Sequence, residues 1–150
     1  MTRTMLDKEN RVGEELLALR SQISDLGLVP PWIERLAAEH AIPSSTQFSM
    51  NLCLEEILSN IIRHGYANQP DRPILIRYSP LPDGCFLLVI EDEAPQFDPI
   101  AVEELPVEAT LEGERIGGLG LRLVRGFAKS VEYEPTPVGN RLRISFASAH

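Results

Sequence analysis

The chain predicts a two-layer α/β (α+β) sandwich, a mainly antiparallel sheet covered by helices on one face. Apolar residues recur at threes and fours up to Gly65, which is the helical period. Alternating or continuous apolar runs then fill Pro73 to Glu91 and Ser130 to Ala147, each broken once by a turn signal. A third helical pattern separates the two strand pairs.

From Lys8 to about Leu26, Val12, Leu16, Leu19 and Ile23 fall at helical spacing, which predicts a first helix within an N-terminal helical segment over 1–29. Gly27 and Pro30-Pro31 end it. A shorter helix from Trp32 to His40 follows, with Pro31 suited to its first turn. Ser44 and Gln47 have the spacing of a capping box and open a long helix that should stop near Gly65.

Pro73 to Ser79 is expected to be a strand with Ile74 and Ile76 on one face. Cys85 to Glu91 is nearly all apolar, so a central strand is expected, joined to the first through Pro82-Asp83-Gly84. An acidic, aperiodic stretch runs from Pro99 to Arg115; a loop that long inside a compact domain is usually functional. A helix opens at Gly117-Gly118-Leu119-Gly120 and reaches about Ala128, with Leu119, Leu123, Val124 and Phe127 expected inside. Ser130–Glu134 and Arg141–Ala147 form a second hairpin around Pro137-Val138-Gly139-Asn140.

A length of 150 residues suits one domain, and 43% hydrophobic with 24% charged residues is ordinary for a globular protein. The net charge of −8, from 22 acidic and 14 basic residues, argues against a nucleic-acid partner, which needs a basic footprint. Two cysteines, Cys53 and Cys85, lack metal-ligand spacing and are expected to be buried free thiols in a reducing compartment. With no apolar signal core and no bilayer-length run, a cytoplasmic protein without a membrane contact is expected.

Three local signals carry chemistry. On the long helix, Glu56, Asn60 and His64 lie four apart on one stripe, opposite Met50, Leu54, Ile57, Leu58 and Ile61. A carboxylate one turn before a carboxamide suits a general base beside an oxygen ligand for magnesium; a solvated polar face would have the same pattern. Asp92 ends the apolar strand, where a carboxylate can reach into a pocket or merely cap a turn. The glycines at 117, 118 and 120 permit close backbone approach to an anion at a helix N-terminus, or a hinge. Neither a Walker-type loop nor a dinucleotide fingerprint is present.

In this order, Glu56-x-x-x-Asn60-x-x-x-His64-Gly65-Tyr66, then Asp92 with Phe97-Asp98-Pro99, then Gly117-Gly118-Leu119-Gly120-Leu121, the chain resembles the GHKL ATPases. Within them it is most similar to the small bacterial anti-sigma-factor serine/threonine kinases, over about Trp32 to Phe146. The resemblance implies a Bergerat-type fold binding ATP and Mg2+, with the lid over residues 99–116. It implies that Asn60 holds the metal, that Asp92 reads the adenine amine, and that Gly117, Gly118, Leu119, Gly120 and Leu121 embrace the phosphates. Glu56 is then the general base acting on a serine or threonine of a STAS-type antagonist. A sigma factor as second partner and a homodimer are also implied. Arg63, Arg122 and Arg125 are candidate phosphate or partner contacts, with ordinary surface charge the commoner role, and His64 is expected to be structural.

The chain departs from the family pattern twice. Ala94 stands where glycine is usual two residues after the aspartate, narrowing the backbone's freedom beside the nucleotide. Gly139-Asn140 replaces the usual Gly-Thr pair, and no ligand role is expected for it. The competing function is a catalytically silent ATP/ADP-binding switch that holds a partner, separable from a kinase only through Glu56. A detached histidine-kinase ATPase domain fits less well, because His40 lies outside any dimerisation-hairpin context.

Overall fold

Ile74, Ile76 and Tyr78 alternate along one strand and are all buried, so one face of that strand is sealed against other elements. The computed structural model describes residues 13–100 and 118–148. Its strands are β1 (Glu15–Arg20), β2 (Pro73–Pro80), β3 (Phe86–Asp92), β4 (Ser130–Pro135) and β5 (Asn140–Phe146). They form one antiparallel five-stranded sheet in the order β1-β2-β3-β5-β4. Three helices cover it: α1 (Val29–His40), α2 (Ser44–Asn60) and α3 (Gly118–Phe127).

Register lines up one apolar face across the sheet. Ile76 is opposite Ile90, Ile90 opposite Leu142, and Leu88 opposite Ile144. These residues form one core cluster with Trp32, Ile33 and Leu36 of α1, Met50, Leu54 and Leu58 of α2, and Leu121 and Val124 of α3. β3 is central, as its continuous apolar run predicts, and the Pro82-Asp83-Gly84 turn before it carries Gly84 at φ +89°.

Four local expectations are corrected. Residues 15–20 are an edge strand paired antiparallel with β2, not part of a first helix, and Ile23–Leu28 is a 3₁₀ turn. Leu17 and Leu19 turn inward while Leu16 is 52% exposed, so the segment obeys period two. Its Leu-rich composition favours helix locally, but the open edge of β2 supplies a full set of ladder partners. The expected helical start at Lys8 lies outside the described residues.

The capping box does not form: Pro43 is the N-cap, Ser44 is already helical, and no side chain caps the end. The buried Thr46 hydroxyl instead donates to the Ala147 carbonyl at 3.1 Å, tying the start of α2 to the end of β5. In α3, Leu123 is 37% exposed whereas Leu121 and Val124 are buried, so the inner stripe is rotated from the expected one. Cys85 lies just ahead of β3 rather than within it. Both cysteines are free and buried. No helix among the described residues is long and apolar enough to cross a membrane.

Candidate functional site

α2 runs straight into a π turn over Ile61–Gly65, closed by the Tyr66 N–H donating to the Ile61 carbonyl at 2.8 Å. Such wide turns recur at functional sites because they re-aim the residues around them. Tyr66 pins its exit: the buried phenol donates to the Pro73 carbonyl at 2.7 Å and accepts the Glu93 N–H at 2.6 Å. The end of α2, the start of β2 and the end of β3 are thereby held together.

Between them lies a cavity of about 300 Å³. Glu56, Asn60, His64 and Gly65 line it from α2 and its π turn, Asp92 and Ala94 from the end of β3, and Asn140 from the start of β5. Leu121 of α3 closes one side, and Ile90, Leu142 and Tyr133 give an apolar floor. That size and the mixture of apolar walls with a few convergent polar groups are typical of small-ligand sites.

Glu56 and Asn60 are half-buried neighbours, and the Asn60 amide Nδ2 donates to Glu56 Oε2 at 3.3 Å. This bond orients the carboxamide so that Oδ1 is its remaining acceptor, the atom type a hard cation prefers. Asp92 is buried at 8% exposure. Its Oδ1 accepts the Ala94 N–H at 2.9 Å and the Asn140 Nδ2–H at 2.8 Å, and no described residue donates to Oδ2. Burial pushes the Asp92 carboxyl above its ordinary value, and the nearby Glu93 charge adds to this; the Asn140 and Ala94 hydrogen bonds pull the other way.

Asn140 was expected to have no ligand role, yet it organises the rim of this cavity. Besides Asp92, its amide donates to the carbonyls of Ala94 at 3.3 Å and Pro95 at 3.2 Å. Its Oδ1 accepts the Phe97 N–H at 2.9 Å and the Tyr133 hydroxyl at 2.5 Å. The only available sequence signal was its place at the start of a strand behind a Gly, which is a turn signature rather than a site signature.

Two glycines let these segments meet. A Cβ on Gly139 would stand 2.0 Å from the Asp92 carbonyl oxygen, so the β4–β5 turn can lie against Asp92 only with glycine there. A Cβ on Gly65 would stand 3.2 Å from the Ala94 methyl, so Gly65 gives that methyl room. Ala94 is 3% exposed and accommodated in this way.

Of the residues singled out from sequence, Glu56, Asn60, Asp92, Ala94 and Leu121 thus share one cavity. Gly118, Leu119 and Gly120 form the first turn of α3. Gly117 and most of the 99–116 segment lie outside the described residues. His64 is exposed at the cavity edge and Arg63 is exposed.

A profile of the histidine kinase-like ATPase domain matches residues 19–146. The serine/threonine-protein kinase BtrW of Bordetella bronchiseptica is 29% identical over 119 residues, covering 79% of this chain and 82% of that protein. Among solved structures, the RsbU and RsbW domains of Rv1364c from Mycobacterium tuberculosis superpose with a TM-score of 0.64 at 14% identity. That match covers 89% of this chain but 32% of the other, so this chain spans about a third of that structure's length. The blue-light activated histidine kinase of Erythrobacter litoralis superposes with a TM-score of 0.52 at 16% identity, over 82% of this chain and 40% of that one. At such identities these structures speak to the fold alone.

Proposed function

The chain belongs to the histidine kinase-like ATPase domain family, and from that premise we propose that it is an ATP-dependent serine/threonine protein kinase acting as an anti-sigma-type partner switch. The observation that carries this reading is the convergence of Glu56, Asn60 and Asp92 on one cavity. The likeness to BtrW, over most of both chains, supports the kinase assignment.

The residues present fit a purine nucleotide with magnesium. A buried carboxylate whose Oδ2 has no donor among the described residues calls for an external one, and an exocyclic amine of adenine supplies it. Asn60 Oδ1 offers a hard oxygen for Mg2+. Bound ATP with Mg2+ supplies the transferable phosphoryl group and neutralises its charge.

The chain's own contribution is positioning. Asp92, held by Asn140, fixes the base, and the floor of Ile90 and Leu142 excludes water from it. The backbone at Gly118 to Leu121, at the N-terminus of α3, faces the phosphates in this reading. Glu56 would take the proton from a serine or threonine hydroxyl of the partner as that oxygen bonds to the terminal phosphorus and the bridging oxygen leaves with ADP. The partner in this reading is a STAS-type antagonist, with a sigma factor as the competing partner and the kinase acting as a homodimer in the cytoplasm.

Incubation with γ-labelled ATP, Mg2+ and a STAS-type protein encoded beside the gene tests the proposal. Label on a serine or threonine of that protein is the expected result. Absence of transfer from protein shown by calorimetry to hold nucleotide would refute the kinase and leave a binding switch.

A further inference from the structure

Away from the nucleotide cavity, where the edge strand β1 meets the end of α1, Glu15, Glu39 and His40 bring one ligand atom each to within 4.8 Å of one another. Two carboxylate oxygens and an imidazole nitrogen are the donor set of a first-row transition dication, with a position left for water. Ligands about 2.0–2.2 Å from zinc stand roughly 3.3 Å apart, so closure by at most about 1.5 Å completes the set.

Two further observations point to a missing ligand. His40 Nε2 is buried and has no hydrogen-bond partner among the described residues. Tyr78 is 0% exposed and its hydroxyl likewise has none among them. The two rings pack at 4.8 Å between centroids, and Tyr78 is the register partner of Glu15, so both project from the same face of the sheet. Leaving two polar atoms unpaired beside a carboxylate costs free energy that a bound ion with its water recovers. The buried Tyr78 hydroxyl, beside His40 and opposite Glu15, is placed to donate to a metal-bound carboxylate or water. His40 also ends α1, where the helix dipole favours positive charge.

Arg35 stands in for the cation in this structure. Its Nη1 lies 3.5 Å from Glu15 Oε1 and 3.3 Å from Glu39 Oε2, and its side chain is 49% exposed. A half-exposed guanidinium on a flexible stem can swing into solvent when a denser charge takes its place.

We propose that Glu15, Glu39 and His40 form a zinc-class metal site that staples β1 to α1, with Arg35 as the competing internal cation. Because β1 is an edge strand whose ladder partner among the described residues is β2 alone, the staple gives it a second attachment, to α1.

The test is Zn2+ titration into the nucleotide-free full chain, followed by calorimetry and by thermal unfolding. One ion per chain and a rise in Tm are expected. Glu39→Gln, at a half-exposed position that leaves the fold intact by circular dichroism, should weaken binding at least about tenfold, and His40→Gln likewise. Arg35→Ala should tighten it several-fold by removing the competitor, and Asn60→Ala should leave it unchanged. Absence of saturable binding, binding indifferent to Glu39→Gln, or an Arg35→Ala variant that binds no more tightly would overturn the site.

Discussion

The Asn140 amide donates to Asp92 Oδ1 at 2.8 Å, and the two residues are direct register partners across β3 and β5. The buried carboxylate at the rim of the cavity is thus aimed by a strand from the far end of the chain. No described residue donates to its remaining oxygen.

Asn140→Ala should therefore weaken ADP–Mg2+ binding although Asn140 itself is proposed to touch no nucleotide atom. A hydrogen bond to a charged group contributes about 1.5–3 kcal/mol, and about 1.4 kcal/mol is tenfold in affinity. A loss of roughly tenfold or more in Kd by calorimetry is expected, with Asp92→Ala more severe. An unchanged Kd would show that Asp92 needs no help from β5.

Glu56→Gln keeps an acceptor for the Asn60 amide but removes the proposed base. Phosphoryl transfer should fall about a hundred- to ten-thousand-fold, while the Kd for ADP changes less than about threefold. Equal losses in both would assign Glu56 to binding rather than proton transfer.

The Asp92 carboxyl is raised in the folded state, chiefly by burial. A raised acid contributes most to stability below its unfolded value of 3.8 and loses that contribution as pH climbs through its folded value. Asp92→Asn should accordingly gain stability relative to the parent over the range above the unfolded value of 3.8. Urea unfolding of both proteins across that range measures the difference; a gap that stays constant or narrows with pH would exclude the desolvated carboxylate.

Gly139→Ala places a methyl 2.0 Å from the Asp92 carbonyl oxygen, so the hairpin must move or Asp92 must shift. A destabilisation of about 1–3 kcal/mol is expected, together with weaker nucleotide binding. Gly126→Ala is the counterpart: nothing lies within 4 Å of its Cβ, and it sits inside α3. It should stabilise the fold by up to about 1 kcal/mol with nucleotide binding unchanged. Thermal unfolding and calorimetry on the pair separate crowding at Asp92 from a general effect of losing glycine.

Local pattern made much of the architecture legible. The stripe of Glu56 and Asn60 was readable because residues four apart on a helix are neighbours wherever that helix lies. The inward face of β2 was readable because strand side chains alternate, the central place of β3 from its continuous apolar run, and Asp92 as the polar end of that run. Three features were not. Residues 15–20 have the composition of a helix and are a strand only because β2 presents an unpaired edge. Asn140 organises the cavity only because β5 aligns with β3 in a register that brings it opposite Asp92, 48 positions earlier in the chain. Gly139 is required only because that register drives two backbones together. Periodicity along the chain encodes which face of an element is buried; strand pairing between distant segments alone decides which polar groups meet across it.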